Sequence, residues 1–201
     1  MENTYVIHAN GKGAIIDPGC YDPAEQKQLV DFIKEENLDV QMILSTHGHI
    51  DHVLGNAFVK RNFNVPLWIG EHDVETFKAV EAYAPNYGFQ NYEAAKYDYL
   101  IKEGDTIEIG HEKLKVLFVP GHAPGHIAFY HKEYGFVIGG DVLFKESVGR
   151  TDMPGGDSDT LMNSIKKELY SLPNDTVVYP GHGERTTVGH EKQFNPFCRV
   201  S

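Results

Sequence analysis

The stretch STHGHIDHVLGN, residues 45–56, places three histidines and an aspartate within six positions, directly after an apolar run. The apolar run favours a strand. Because side chains alternate along an extended segment, His47 and His49 would project to the same side. Asp51 and His52 follow where the chain begins a new segment, so they can point in another direction. This loop therefore predicts two metal positions, and its imidazole and carboxylate donors suit zinc, iron or manganese.

Three further polar residues occupy similar positions later in the chain. His122 in PGHAPGH, Asp141 in GGDVLF and His182 in PGHGE each follow a predicted strand and have glycine neighbours. Glycine lets the backbone pass close to a ligand, and a rigid scaffold builds a site on such loops. With the first loop they make five histidines and two aspartates, enough for two metal ions that keep open positions for water. Such ions activate water for attack on a carbonyl, so the donor set predicts hydrolysis.

The overall composition narrows the class of protein. Across 201 residues, 18 basic side chains stand against 29 acidic ones, and the formal net charge is −11. This argues against nucleic acid as a partner and suits a soluble enzyme that acts on small molecules. The start of the sequence lacks the pattern of a secretory signal, and no apolar run is long enough to span a membrane. With Cys20 and Cys198 as the only cysteines and no CxxC motif, we expect a cytoplasmic protein.

Strands and helices alternate along the whole sequence, which predicts an α/β fold. Strands are predicted at Tyr5–Ala9, Gly13–Asp17, Val40–Ser45, Leu67–Ile69, Thr106–Ile109, Lys113–Val119, His126–His131, Gly135–Gly139 and Thr176–Tyr179. Helices are predicted at Pro23–Asn37, Glu71–Tyr83 and Asp159–Ser171. No repeat or linker-like composition interrupts the chain, so we expect one domain over residues 1–201. The order of the strands is not predicted.

Taken in order, the segments IIDPG (residues 15–19), THGHIDH, PGHAPGH, GGD and PGHGE resemble the motifs of the metallo-β-lactamase superfamily. The resemblance spans nearly the whole chain. It implies a four-layer αβ/βα sandwich, in which two mixed β-sheets face each other with helices outside and metals at one edge.

The same resemblance implies roles for individual residues. His47, His49 and His122 would bind the first metal. Asp51, His52 and His182 would bind the second, with Asp141 bridging the two. Asp51 would also orient the attacking metal-bound hydroxide. We expect two divalent metals, zinc first, with iron or manganese as alternatives.

Within the superfamily, the segment FKESVGRTDMPGGD (residues 144–157) is similar to short bacterial hydroxyacylglutathione hydrolases of the glyoxalase II type. This implies hydrolysis of thioesters such as S-D-lactoylglutathione to a hydroxy acid and a free thiol, with no C-terminal glutathione-binding helical domain. Arg150 would contact the thiol-bearing substrate, although a structural ion pair with Asp152 is the alternative, and both can hold. His126 and Asp152 would support the site from beside it. A small-molecule thioester is the expected partner; the oligomeric state is not predicted.

Alternatives remain at this point. Persulfide dioxygenases of the same fold share the sequence GRTD, found here at residues 149–152, and would hold one iron on His47, His122 and Asp141. A non-catalytic metal-binding module is a third reading. β-Lactam hydrolysis is disfavoured by the aspartate at 141 and by the lack of an export signal. The tyrosine-rich segment at residues 83–100 is expected to line the substrate cleft, form a subunit contact, or fold on its own aromatic side chains.

Overall fold

The computed structural model describes residues 2–200, which group into two compact units. The N-terminal unit contains residues 4–101 and 108–113. The C-terminal unit contains residues 2–3, 102–107 and 114–200. Whether the two act as the single domain predicted from the sequence stays a prediction. No helix within residues 2–200 is long and apolar enough to cross a membrane.

A five-stranded mixed sheet forms the centre of the N-terminal unit. Its strands are β1 (Tyr5–Ala9), β2 (Lys12–Ile16), β3 (Asp39–Leu44), β4 (Leu67–Gly70) and β5 (Tyr99–Ile101), and they lie in that order. The first pair is antiparallel and the others are parallel. Because β2 and β3 run in parallel with Ile16 opposite Leu44, their carboxyl ends lie side by side. This register brings Asp17 next to the histidine loop that follows β3.

Helices cover this sheet and complete its apolar core. They are α1 (Pro23–Glu35), α2 (Ile50–Val53), α3 (Asn56–Phe63) and α4 (Val74–Tyr83), with 3₁₀ turns at Glu71–Asp73 and Ala84–Tyr87. Helix α1 begins as its sequence predicts: Asp22 accepts hydrogen bonds from the N–H groups of Ala24 and Glu25, and Pro23 occupies the first turn. The helix predicted at Glu71–Tyr83 differs at its start: Glu71–Asp73 form a 3₁₀ turn, and the α-helix begins at Val74.

The C-terminal unit contains a six-stranded mixed sheet and a small hairpin. Chain order gives β6 (Thr106–Ile109), β7 (Glu112–Phe118), β8 (Ile127–His131), β9 (Phe136–Gly140), β10 (Leu143–Phe144), β11 (Ser147–Val148), β12 (Val177–Pro180) and β13 (Thr186–Thr187). The sheet order is β13-β12-β9-β8-β7-β6, while β10 and β11 pair separately. Residues 108–113, at the turn between β6 and β7, group with the N-terminal unit.

The direction of these strands places three candidate ligands near one edge. Strand β12 is parallel to β9 with Pro180 opposite Gly140, so the loops carrying His182 and Asp141 leave the sheet together. Strands β7 and β9 are both antiparallel to β8, so the loop with His122 leaves in the same direction. Helices α5 (Ser158–Ser164) and α6 (Val188–Phe194), with a π-helical turn at Ile165–Leu169, pack on this sheet.

Candidate metal centre

The histidine loop of the N-terminal unit is held by Asp17. The Oγ1 of Thr46 donates a hydrogen bond to Oδ2 of Asp17 over 2.5 Å, and Nδ1 of His47 lies 3.0 Å from the same Oγ1. Because the hydroxyl hydrogen is already committed to Asp17, Nδ1 of His47 is the donor. The imidazole therefore carries its proton on Nδ1, and coordination of a metal would use Nε2.

His52 is oriented by the same carboxylate. Its Nδ1 donates to Oδ2 of Asp17 over 3.1 Å, and its ring is completely buried. Ligand atoms of Asp17, His47 and His52 lie within 4.8 Å of one another. The backbone N–H of Thr46 also donates to Oδ1 of Asp17 over 2.7 Å, so both carboxylate oxygens accept hydrogen bonds. Asp17 is therefore better suited to orienting the two imidazoles than to binding a metal directly.

The other two donors of this loop lie nearby. The ring of His49 is buried, and its centroid lies 4.7 Å from that of His47. Oδ2 of Asp51 lies 3.9 Å from Nε2 of His52, and the Asp51 side chain remains 42% exposed. An accessible carboxylate beside buried imidazoles can reach both a metal and a water molecule.

At Gly48, between His47 and His49, there is no room for a side chain. A Cβ at this position would lie 2.6 Å from a ring carbon of Phe77 and 2.8 Å from the Phe77 nitrogen. The N–H of Gly48 donates to Oδ2 of Asp73, a completely buried residue. The loop is thus packed directly against the start of α4.

The C-terminal unit contributes a second donor set, centred on Asp141. Oδ2 of Asp141 lies 3.6 Å from Nε2 of His122 and 3.5 Å from Nε2 of His182. Two ligands of one tetrahedral zinc, each about 2.1 Å from the ion, lie about 3.4 Å apart. Each pair, Asp141 with His122 and Asp141 with His182, is therefore spaced like two ligands of one cation, and imidazole and carboxylate chemistry suits zinc or iron.

Neighbouring groups fix the orientation of these donors. Nδ1 of His122 donates to the backbone carbonyl of Arg150 over 2.8 Å, which leaves Nε2 as the coordinating nitrogen. His126 is completely buried, and its Nε2 accepts a hydrogen bond from the N–H of Asp141 over 3.1 Å. His126 thus supports the backbone of a candidate ligand.

The side chain of Arg150 forms an exposed ion pair with Asp152. Its Nε and one terminal nitrogen donate to the two carboxylate oxygens over 2.6 and 2.7 Å. This hydrogen bonding lowers the pKa of Asp152 to about 2. The ion pair considered from the sequence is present, while contact between Arg150 and a substrate stays a prediction.

Two functional residues were missed by the sequence reasoning. Asp17 had a signal, because it stands in the segment IIDPG at the end of a predicted strand. Asp73 had none, because its partner is a backbone N–H and any buried acceptor could serve there. Neither residue type nor spacing identifies such a contact.

Part of the tyrosine-rich segment at residues 83–100 packs on the N-terminal unit, while Tyr87, Tyr97 and Tyr99 are exposed. Tyr83, Phe89 and Tyr92 pack against the core of that unit, and the Phe89 ring lies 5.0 Å from Tyr21. Burial, followed by the charge of Asp51, raises the pKa of Tyr83 to about 12. Within the segment, the rings of Tyr83 and Tyr87 lie 5.5 Å apart. The substrate-cleft and subunit-contact alternatives stay predictions.

Comparison with known proteins identifies the family. The model of the metallo-beta-lactamase superfamily matches residues 1–182, and the chain belongs to this superfamily. The predicted family and the metallo-β-lactamase fold, with two mixed sheets and associated helices, are both confirmed. The protein is accordingly an enzyme of the metallo-hydrolase superfamily.

Individual relatives differ in what their names report. Hydroxyacylglutathione hydrolase GloC of Haemophilus influenzae is 39% identical over 200 residues, covering 98% of this chain and 92% of that protein. The crystal structure of BLEG-1 B3 metallo-beta-lactamase matches with a TM-score of 0.89 at 33% identity, covering 98% of this chain and 94% of that one. The structure of TTHA1623 in a di-iron-bound form matches with a TM-score of 0.87 at 36% identity, covering 98% and 95%.

Proposed function

We propose that this protein hydrolyses thioesters of small thiols, such as S-D-lactoylglutathione, to a hydroxy acid and a free thiol. The similarity to the GloC hydrolase over 98% of the chain supports this substrate class. The observation that carries the proposal is the convergence of His122 and His182 on one oxygen of Asp141. That arrangement is the one expected of a carboxylate that bridges metals.

In this proposal the seven donors predicted from the sequence would hold two divalent metal ions. His47, His49 and His122 would hold one ion, and Asp51, His52 and His182 would hold the other, with Asp141 as a shared ligand. Zinc is the expected metal, and the di-iron form of TTHA1623 makes iron the alternative to test beside it.

Bound metals would lower the pKa of a water molecule to near 7 and polarise the thioester carbonyl. The protein's own side chains then have defined tasks. Asp51, exposed enough to meet a water molecule, accepts a hydrogen bond from it and aims it at the acyl carbon. Asp17 and the Arg150 carbonyl keep the imidazoles His47, His52 and His122 in the tautomer that presents Nε2. The departing thiolate needs no strong general acid, since thiols have a pKa of about 8.5.

The test is thiol release from S-D-lactoylglutathione by protein loaded separately with zinc and with iron. His49→Ala, which removes a proposed ligand, is the loss-of-function variant, and His111→Ala on an exposed turn is the matched control. We expect rapid release that is abolished in His49→Ala and retained in His111→Ala. No release with either metal would refute the thioester hydrolase.

A second candidate is persulfide dioxygenation, favoured by the sequence GRTD at residues 149–152. Oxygen uptake by the iron-loaded protein with glutathione persulfide, in the absence of thioester hydrolysis, would select it. The likeness to BLEG-1 makes a β-lactam the third substrate to include in the same assays.

A further inference from the structure

We propose that Asp73 is a positioning residue, which fixes the backbone between His47 and His49 and thereby strengthens metal binding by both. This inference rests on the metal site proposed above. It concerns a residue outside the metal-binding motifs, separated from the histidine loop by strand β4 and two helices.

The contact is direct and fully buried. Asp73 ends the 3₁₀ turn after β4, and its Oδ2 accepts a hydrogen bond from the N–H of Gly48. Relative exposure of Asp73 is 0%. A hydrogen bond from an amide to an ionised carboxylate is about twice as strong as one between neutral groups, and burial strengthens it further.

Helix capping does not explain this carboxylate. Asp73 occupies the N-cap position of α4, where an aspartate usually accepts from the N–H groups of the first turn. Its side chain makes no such capping hydrogen bond. The carboxylate is directed to the histidine loop instead.

Packing against Phe77, also at the start of α4, further restricts the position of the loop. A Cβ on Gly48 would lie 3.1 Å from Oδ2 of Asp73, and closer still to Phe77. Close packing against Phe77 prevents the Gly48 backbone from moving towards α4. The hydrogen bond to Asp73 prevents it from moving away from α4. His47 and His49 are the neighbours of Gly48 in the chain, so fixing the Gly48 backbone also restricts where the two imidazoles lie.

The negative charge of Asp73 should also strengthen metal binding by His47 and His49. In this proposal Asp73 is ionised, and its negative charge lies against Gly48, the residue between two proposed ligands of a cation. A buried charge is poorly screened by solvent. Changing Asp73 should therefore weaken metal binding through two effects. Asp73→Asn retains a hydrogen-bond acceptor and removes the charge, whereas Asp73→Ala removes both.

Zinc affinity, measured by competition with a chromogenic chelator, tests the inference on full-length wild type, Asp73→Asn and Asp73→Ala. Glu75→Gln is the matched control, because Glu75 is an exposed carboxylate on α4 that pairs with Lys78. We expect zinc to bind about 10- to 100-fold more weakly to Asp73→Ala, as for other groups that orient ligands. Asp73→Asn should lie between this variant and wild type, and Glu75→Gln should match wild type.

A metal-free measurement separates positioning from general damage. In apo protein, the proton shift and hydrogen exchange of the Gly48 amide report on its hydrogen bond. We expect an upfield shift and faster exchange of the Gly48 amide in both Asp73 variants. Circular dichroism checks that both variants are folded under the same conditions.

The outcomes are distinct. Wild-type protein that binds neither zinc nor iron would overturn the proposed metal site together with this inference. Zinc binding by wild type with unchanged affinity in both Asp73 variants would overturn the inference alone. Weaker binding with an unchanged Gly48 amide would also overturn it, because the effect would then not pass through the loop backbone.

Discussion

The backbone N–H of Asp141 donates a hydrogen bond to Nε2 of His126 across 3.1 Å. A backbone amide can only donate, so Nε2 of His126 must be unprotonated and the ring is neutral. A buried histidine on the loop before β8 thus fixes the backbone of a candidate ligand at the end of β9. Two neighbouring strands of the sheet are tied together at the edge that carries the donors.

His126→Ala should therefore destabilise the metal-free protein by about 2–4 kcal/mol, from a cavity and a buried amide left without its acceptor. The measurement is urea unfolding of apo protein. His111→Ala, on an exposed turn, is expected to leave the midpoint unchanged. A wild-type midpoint in His126→Ala would show that the hydrogen bond contributes nothing to stability.

Asp17→Ala should weaken zinc binding about 10- to 100-fold, since two imidazoles lose the group that sets their tautomer. It should also lower the free energy of unfolding of apo protein by roughly 2–4 kcal/mol, because buried donors lose their acceptor. Chelator competition and urea unfolding measure the two effects. Asp31→Ala, a partly exposed carboxylate on α1 that pairs with Lys27, serves as the control. Equal zinc affinity in Asp17→Ala and Asp31→Ala would contradict the role given to Asp17.

Gly149→Ala should be poorly tolerated, because a Cβ there would lie 1.9 Å from the carbonyl oxygen of Asp141. The backbone must move to relieve this overlap, at a cost of about 3 kcal/mol or more. Gly139→Ala is the matched control in the same unit, where the nearest atom to a new Cβ is 3.6 Å away. Thermal unfolding of the two variants should differ clearly. Similar melting temperatures would mean that the close approach of residues 141 and 149 is dispensable.

Arg150→Ala has two expected results that can be measured separately. The pKa of Asp152, about 2 in the ion pair, should rise towards the usual aspartate range, as followed by carboxyl carbon NMR. If Arg150 holds a substrate carboxylate throughout the reaction, KM should increase about tenfold with kcat little changed. An altered Asp152 pKa with unchanged KM would leave Arg150 a structural role only.

Alkaline stability should depend on Tyr83. Its folded pKa of about 12 exceeds the unfolded value near 10, so the folded state holds the phenolic proton more tightly. The resulting stability is fully present below pH 10 and is lost as the pH rises through about 12. Tyr83→Phe has no proton to lose and should show a smaller fall in its urea midpoint between pH 10 and 12. Tyr134→Phe, at an exposed position, is expected to fall like wild type, and an identical fall in Tyr83→Phe would contradict the prediction.

The longer elements were predictable from the sequence because each carries its own signal. Strand β3 is an apolar run that ends where polar residues begin, and α1 combines a capping aspartate with a proline in its first turn. By contrast, β13 contains only two residues, Thr186 and Thr187, and exists because β12 offers a partner. The sequence of a two-residue strand carries too little pattern to predict it when its stability comes from pairing with another strand.

The same distinction applies to the candidate site. His47, His49 and His52 stand out through residue type and spacing, since metal binding requires donors of a particular chemistry. The contacts that orient them do not stand out, because Thr46 and Asp73 act through ordinary hydrogen bonds that depend on the fold. The sequence could therefore predict donors, but not the supporting groups around them.

Asp17 adopts a left-handed backbone conformation, with φ at 49°. Non-glycine residues there usually cost of order 1 kcal/mol, and glycine would relieve that strain. An engineer seeking a more heat-resistant enzyme would gain backbone energy from Asp17→Gly and lose the carboxylate that holds Thr46 and His52. Asn64 shares the left-handed conformation, at the end of α3, but no hydrogen bond to a histidine depends on it in residues 2–200. Optimisation of the backbone should therefore begin at Asn64 and leave Asp17 unchanged.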